Sequence, residues 1–180
     1  MDAPMIALAL FLAFIPAYVL VIAATRLSWR HRRNVRTAWR VHDRLHEIAL
    51  QRPEDDPSWL LSYLRKTDPF VFEELVLISL HGRGYRIRRN RRYSGDGGVD
   101  GRASKSGILY LVQCKRYSGY IQKADVEALE ELCRRKGCRG LFVHTGKTGK
   151  GSLEAASERV SIISGSLLYE LLINDKGNKS

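Results

Sequence analysis

Cysteine is scarce in this sequence: Cys114, Cys133 and Cys138 are the only three in 180 residues. That is too few, and too irregularly spaced, for a disulfide framework or a four-ligand zinc site, so free thiols in a reducing compartment are expected. Five prolines and fifteen glycines exclude a collagen-like or low-complexity chain. Acidic residues are also short, with nineteen Asp+Glu against thirty Lys+Arg and a formal charge of +11. Such an imbalance suits a polyanionic partner, nucleic acid or an anionic membrane surface. What is present is enough for a core: 44% of residues are hydrophobic, and the length suits one domain with an appendage.

The appendage is N-terminal. From Pro4 to Ala24 no residue carries a charge, and a helix of that length at about 1.5 Å per residue spans the ~30 Å core of a bilayer. A cleaved signal peptide would begin with positive charge and a shorter apolar run, and a core helix would show a polar face, so one transmembrane helix over residues 1–25 is the expectation. Arg26, Arg30, Arg32 and Arg33 follow it. By the positive-inside rule the chain is then a single-pass protein of the inner (cytoplasmic) membrane with its C-terminal domain in the cytoplasm. Residues 26–57 read as a basic helical spacer and linker. Val35, Ala38, His42, Leu45 and Ala49 recur at a 3-4-3-4 spacing, a seam that suits either a twin helix, giving a homodimer, or a solvated spacer lying on anionic lipid. The seam covers barely two heptads and includes a histidine, which favours the spacer. Pro53 and Pro57 bracket a switch of charge sign and set the boundary of a domain over residues 58–180.

Within that domain the spacing predicts a short helix at 59–64, then a helix over 70–81 capped by Asp68 and Pro69. Strands follow at 85–90, 99–103 and 108–114, the last two joined by a hairpin turn at 104–107. Helices at 124–136, 152–159 and 167–172 then alternate with strands at 141–143 and 160–163. This order implies an α/β fold with a mixed central sheet flanked by helices.

Asp100 opens the second of these strands, while Gln113 and Lys115 lie two apart on the third and so share a sheet face. Polar residues on an otherwise apolar strand are costly unless they meet something. The Asp100 carboxylate, the Gln113 side-chain oxygen and the Cys114 carbonyl are oxygen donors suited to a hard divalent cation. Lys115 suits a phosphate and the water attacking it.

Phe72-Glu73-Glu74-Leu75-Val76, Gly95-Asp96-Gly97-Gly98-Val99-Asp100-Gly101 and Val112-Gln113-Cys114-Lys115-Arg116-Tyr117 together resemble the catalytic domain of Mrr-type (type IV) restriction endonucleases, in the PD-(D/E)xK nuclease superfamily. Phe142-Val143-His144-Thr145-Gly146, Ala155-Ala156 and Ile162-Ile163 extend the resemblance over about residues 68–173. It implies a restriction-endonuclease-like fold and a Mg²⁺- or Mn²⁺-dependent endonuclease acting on duplex DNA in restriction or defence. Carried over by position, Asp100 and Gln113 match the metal-binding pair and Lys115 the catalytic lysine. Glu73 matches the acid that completes the metal site, and Asp96 a recurrent acid of the glycine-rich turn. Ile163-Ser164-Gly165 departs from the Ile-Asp-Gly of relatives.

Arg88, Arg89, Arg91, Arg92 and Arg116 crowd the approach to this constellation, and Lys147 and Lys150 lie in a Gly/Lys/Thr loop; all are expected at DNA phosphates. That loop is not a P-loop, because Leu141 stands where the first glycine belongs and Gly151 follows Lys150. No nucleotide cofactor is therefore expected. A membrane-anchored metal-dependent endonuclease is the leading reading, and a catalytically silent membrane-tethered DNA-binding module its rival.

Overall fold

The computed structural model describes residues 29–51, 58–90 and 98–174. The chain forms two compact units, residues 1–32 and 33–180. The expected membrane helix lies outside the described residues, and among the described residues no helix is long and apolar enough to cross a membrane.

The described elements open with helices α1 (Trp29–Leu50), α2 (Ser58–Leu64) and α3 (Pro69–Gly82). Asp68 caps α3 as its sequence suggests, accepting from the Phe70 and Val71 amides at 2.9 and 3.3 Å, with Pro69 in the first turn, where its missing N–H costs nothing. Strands β1 (Arg86–Arg89), β2 (Gly101–Lys105) and β3 (Ile108–Lys115) form an antiparallel meander, and Ser106 and Gly107 turn the β2–β3 hairpin with positive φ at both positions, as a primed turn requires. Helix α4 (Lys123–Lys136) then crosses to β4 (Arg139–His144), and α5 (Lys150–Ala155) to β5 (Val160–Ile163), before α6 (Gly165–Leu172) closes the fold. The sheet order is β1-β2-β3-β4-β5, with β3, β4 and β5 parallel. A mixed sheet flanked by helices is thus present.

The strand alternation of β3 feeds two cores. Val112 and Cys114 pack with α2, α3 and α6, while Leu111 packs with Val126, Leu129 and Cys133 of α4. Helix α3 is buried almost all round, from Val71 to Leu80 apart from Glu73.

Three expectations change. The seam of α1 does not lie open to lipid or to a twin helix: Ala38 and Leu45 are completely buried in the first core, with Val41 and Ala49 packed against it. An apolar seam buries itself against the nearest apolar surface, and here that surface belongs to the domain itself. Helix α5 starts at Lys150 and stops at Ala155, short of the predicted 159. The Ser157 hydroxyl accepts from the Arg159 amide at 3.2 Å and meets Glu130 at 2.6 Å, the local bonding by which serine competes with a helix. Strand β2 begins at Gly101, so Asp100 stands just before it, its amide donating to the Val112 carbonyl at 2.8 Å.

Candidate metal and phosphodiester site

Asp100 is held at the mouth of the β2–β3 ladder by its own carboxylate as well as by its backbone. Its Oδ2 accepts from the Cys114 amide at 2.6 Å. Burial lifts its pKa to about 6, although the Cys114 N–H bond and the charge of Lys115 pull the other way. Glu73, half-buried on the second turn of α3, is pushed to about 8 by burial first and then by the negative charges of Asp100, Glu74 and Asp68. Among the described residues the Glu73 side chain makes no hydrogen bond or ion pair. The Cys114 thiol, buried and facing Asp100, Glu73 and Glu74, is pushed well above the ordinary thiol range; its structural contribution is the amide that orients Asp100.

Gln113 is buried and follows Leu111 in the alternation of β3. Gly98 sits against it with φ +80°, where an added Cβ would come within 2.6 Å of Gln113 Nε2. Both the backbone angle and the close approach demand glycine there. Asn90 donates through its side chain to the Val99 carbonyl and so ties the end of β1 to the start of the segment that carries Asp100.

Two residues further along β3, Lys115 places its Nζ 3.8 Å from Asp125 Oδ1. Tyr117 donates its hydroxyl to Asp125 Oδ2 at 2.5 Å, and burial, then this bond, pushes the phenol to about 12.

The residues expected at DNA divide. Arg88 and Arg116 are exposed, the latter also donating to the Arg65 carbonyl at 2.6 Å. Arg89 points inward: its Nε meets Glu74 Oε2 at 2.6 Å, with Glu74 buried. The strand phase explains this, because Arg89 falls on the same face as Ile87, and an arginine there needs a buried anion. Arg91 and Arg92 lie outside the described residues, as does Asp96.

Lys147 and Lys150 are exposed. The loop that bears them is tied down: the Lys147 amide donates to the Gly119 carbonyl at 2.9 Å and the Ile121 amide to the Lys147 carbonyl at 3.0 Å. Under it His144 is completely buried, accepting at Nδ1 from the Gly146 amide and facing Thr148 Oγ1 through Nε2, each at 3.1 Å. Burial lowers its pKa to about 4, so it is a neutral prop. At the departure from the relatives' pattern, Ser164 makes no side-chain cap to α6 and its hydroxyl lies 3.3 Å from Thr148.

Sequence reasoning missed Glu74, Gly98 and Asp125. Strand phase gives a signal for the first, through Arg89, and Gly98 stands in the glycine-rich turn, though not marked there as a partner of Gln113; Asp125 matters through space.

The five-stranded mixed sheet flanked by helices, with an acid before β2 and Gln-x-Lys at the end of β3, fits a restriction-endonuclease-like α/β fold. The Mrr_cat family of restriction endonucleases matches residues 64–172, more than half of the chain, and the protein belongs to that family. A type IV methyl-directed restriction enzyme of Escherichia coli (strain K12), EcoKMrr, is 31% identical over an alignment 144 residues long that covers 74% of this chain and 47% of that enzyme. The chain thus spans about half the length of the curated relative it matches. A solved structure, Pyrococcus furiosus SfsA in complex with Ca²⁺, matches 52% of this chain and 54% of its own at 19% identity and a TM-score of 0.36.

Proposed function

We propose that the protein is a membrane-anchored, metal-dependent endonuclease that hydrolyses DNA phosphodiesters in restriction or defence, its domain on the cytoplasmic side. The observation that carries this reading is the placement of two acids, Glu73 and Asp100, within electrostatic reach of each other, with Lys115 near Asp100 and both carboxyls pushed above the ordinary range. Burial is the first cause of both shifts, and a nearby cation would favour the charged form of each carboxyl. Among the described residues no three His, Cys, Asp or Glu side chains form a metal cluster. The donor set is instead two carboxylates, the Gln113 amide oxygen and the Cys114 carbonyl, all oxygens. That fits Mg²⁺ or Mn²⁺, which bind through one or two carboxylates and retain water.

When bound, the cation would supply charge for the phosphate and acidify a water. The chain's own residues do the rest. Asp100 is oriented by the Cys114 amide, Gln113 by its burial beneath Gly98, and Lys115 offers its ammonium to a phosphate oxygen and to the attacking water. Arg88, Arg116, Lys147 and Lys150 would receive the flanking phosphates.

The test uses the full chain, since Ala38 and Leu45 belong to the domain core. Purified protein is expected to cut methylated or unmethylated plasmid with Mg²⁺ or Mn²⁺. Asp100→Asn and Lys115→Ala, still folded, should each lose at least about 100-fold in rate. Wild-type rates in either variant would defeat the assignment, and metal-dependent DNA binding without cutting in the wild type would favour the silent binding module. Protease added to intact spheroplasts should spare the domain; digestion from outside would reverse the topology.

A further inference from the structure

Beyond the acids and the lysine, one group touches the end of β3 without a role in the reading above. Asp125 lies in the first turn of α4, ten positions beyond Lys115 in sequence. Its two oxygens are divided: Oδ2 takes the Tyr117 hydroxyl at 2.5 Å, and Oδ1 faces Lys115 Nζ at 3.8 Å. The alternation that sets Gln113 and Lys115 on the α4 side also leads to Tyr117, which packs against the α4 core. Tyr117 is itself anchored, its amide donating to Thr145 Oγ1 at 3.1 Å and its carbonyl accepting from the same hydroxyl at 2.9 Å. The carboxylate is therefore fixed on one oxygen by a rigid phenol and is free to aim the other at the lysine. A lysine has four rotatable side-chain bonds and, left alone, spreads its charge over many positions.

We propose that Asp125 is a positioning residue that, buttressed by Tyr117, holds the Lys115 ammonium at the mouth of the site. This rests on the nuclease reading above, in which Lys115 meets the phosphate. The separation of 3.8 Å is an ion-pair distance longer than a tight hydrogen bond, so the lysine is restrained without being locked away from substrate. Asp125 touches neither phosphate nor water; it acts by limiting where Lys115 can be. Positional error at a reacting group is costly, about 100-fold for 1 Å. A carboxylate beside the lysine that served only to stabilise the fold would instead act through unfolding, and its loss would not separate binding from turnover.

Two readouts on the full chain test this. The first needs no activity. With lysines labelled by ¹³C at Cε, the Lys115 signal is assigned by its disappearance in Lys115→Arg. In Asp125→Asn that signal should shift and sharpen as the ammonium is released, while Asp125→Glu should leave it near its wild-type position. The second is single-turnover cleavage with saturating DNA. Asp125→Asn should cut about 10- to 100-fold more slowly with DNA affinity within about twofold of wild type. Asp125→Glu should recover part of the rate, and Tyr117→Phe should lose about two- to fivefold, as expected for one hydrogen bond. An unchanged Lys115 signal, or a wild-type cleavage rate in Asp125→Asn, overturns the positioning role. A loss of rate that tracks a fall in melting temperature or in DNA affinity overturns it too. Wild-type cleavage that survives Lys115→Ala defeats the nuclease assignment of Lys115 instead, and the Lys115 signal still decides whether Asp125 holds it.

Discussion

On the α3 side of the site two neighbouring acids are treated differently: Glu74 is buried against Arg89 at 2.6 Å, whereas Glu73 is half-buried without an ion pair among the described residues. On the α4 side the charges match, with Lys115 facing Asp125. The basic half is balanced by the protein itself, whereas in the acidic half burial disfavours the charged forms of Glu73 and Asp100. An uncompensated carboxylate in a low-dielectric place raises its pKa or recruits a cation. Glu74 with Arg89 then reads as structure, and Glu73 with Asp100 is the pair that the proposed metal site would use.

The largest expected effect breaks the compensated pair. Glu74→Ala leaves Arg89 without its buried anion, and the loss of a partner from such a pair costs about 3–5 kcal/mol. Chemical denaturation of the full chain should show a loss of that size. The double substitution Glu74→Leu with Arg89→Leu should recover most of it, since apolar groups of similar volume replace a buried ion pair with little net cost. A loss under about 1 kcal/mol in Glu74→Ala would place the pair at an effectively solvated surface. Glu73→Gln, by contrast, should leave stability unchanged or raise it, because it removes a charge that the fold disfavours.

The next effect concerns the uncompensated half and follows pH. A carboxyl at about 8 in the folded protein, against 4.5 for its model value, binds more protons folded than unfolded between those limits. Stability of the metal-free protein should therefore be fullest below pH 4.5 as far as Glu73 is concerned, and be lost as pH rises toward 8. Metal binding runs the other way, since a carboxylate ligand must first lose its proton. Mg²⁺ affinity, measured by calorimetry, should climb by up to about tenfold per pH unit between 6 and 8 and then level off. In Glu73→Gln the climb should end near pH 6, where Asp100 titrates. Equal slopes in the two proteins above pH 6 would remove Glu73 from the ligand set.

Sequence pattern carried the frame of this site and not its wiring. The Asp68-Pro69 cap, the turn at Ser106-Gly107 and the stop of α4 at Gly137, which adopts φ +61°, are local and could be read locally. The shared face of Gln113 and Lys115 follows from a period of two along one strand. An arginine run beside a phosphate-cleaving constellation suggests DNA contact for Arg89, yet a four-residue strand still has a phase and Arg89 occupies the inner one, paired with Glu74. Asp125 and Gly98 escaped because their partners are met through space. Burial of Ala38 and Leu45 escaped for the same reason: an apolar seam shows that a helix has a face to hide, and only the fold shows what hides it.

The smallest effect sharpens the contrast between two adjacent arginines. Arg88 is exposed on the outer face of β1, while Arg89 is committed to Glu74. If Arg88 neutralises a phosphate, its loss removes about one counterion's worth of salt dependence. The slope of log affinity against log salt should then flatten by about 0.9 in Arg88→Ala, with stability unchanged. Arg89→Ala should do the reverse, lowering stability while leaving the slope of the folded fraction near that of wild type. Arg116 and Lys147 should resemble Arg88. Lys150 should contribute less, because Glu154 stands 3.8 Å away one helical turn on and already attends its charge. A slope unchanged in Arg88→Ala, or flattened equally by Arg88→Ala and Arg89→Ala, would mean that exposure on β1 does not mark the DNA face. The phosphate contacts would then belong to the end of β3 and to the Lys147 loop, which the single substitutions Arg116→Ala and Lys147→Ala would report by flattening the slope on their own.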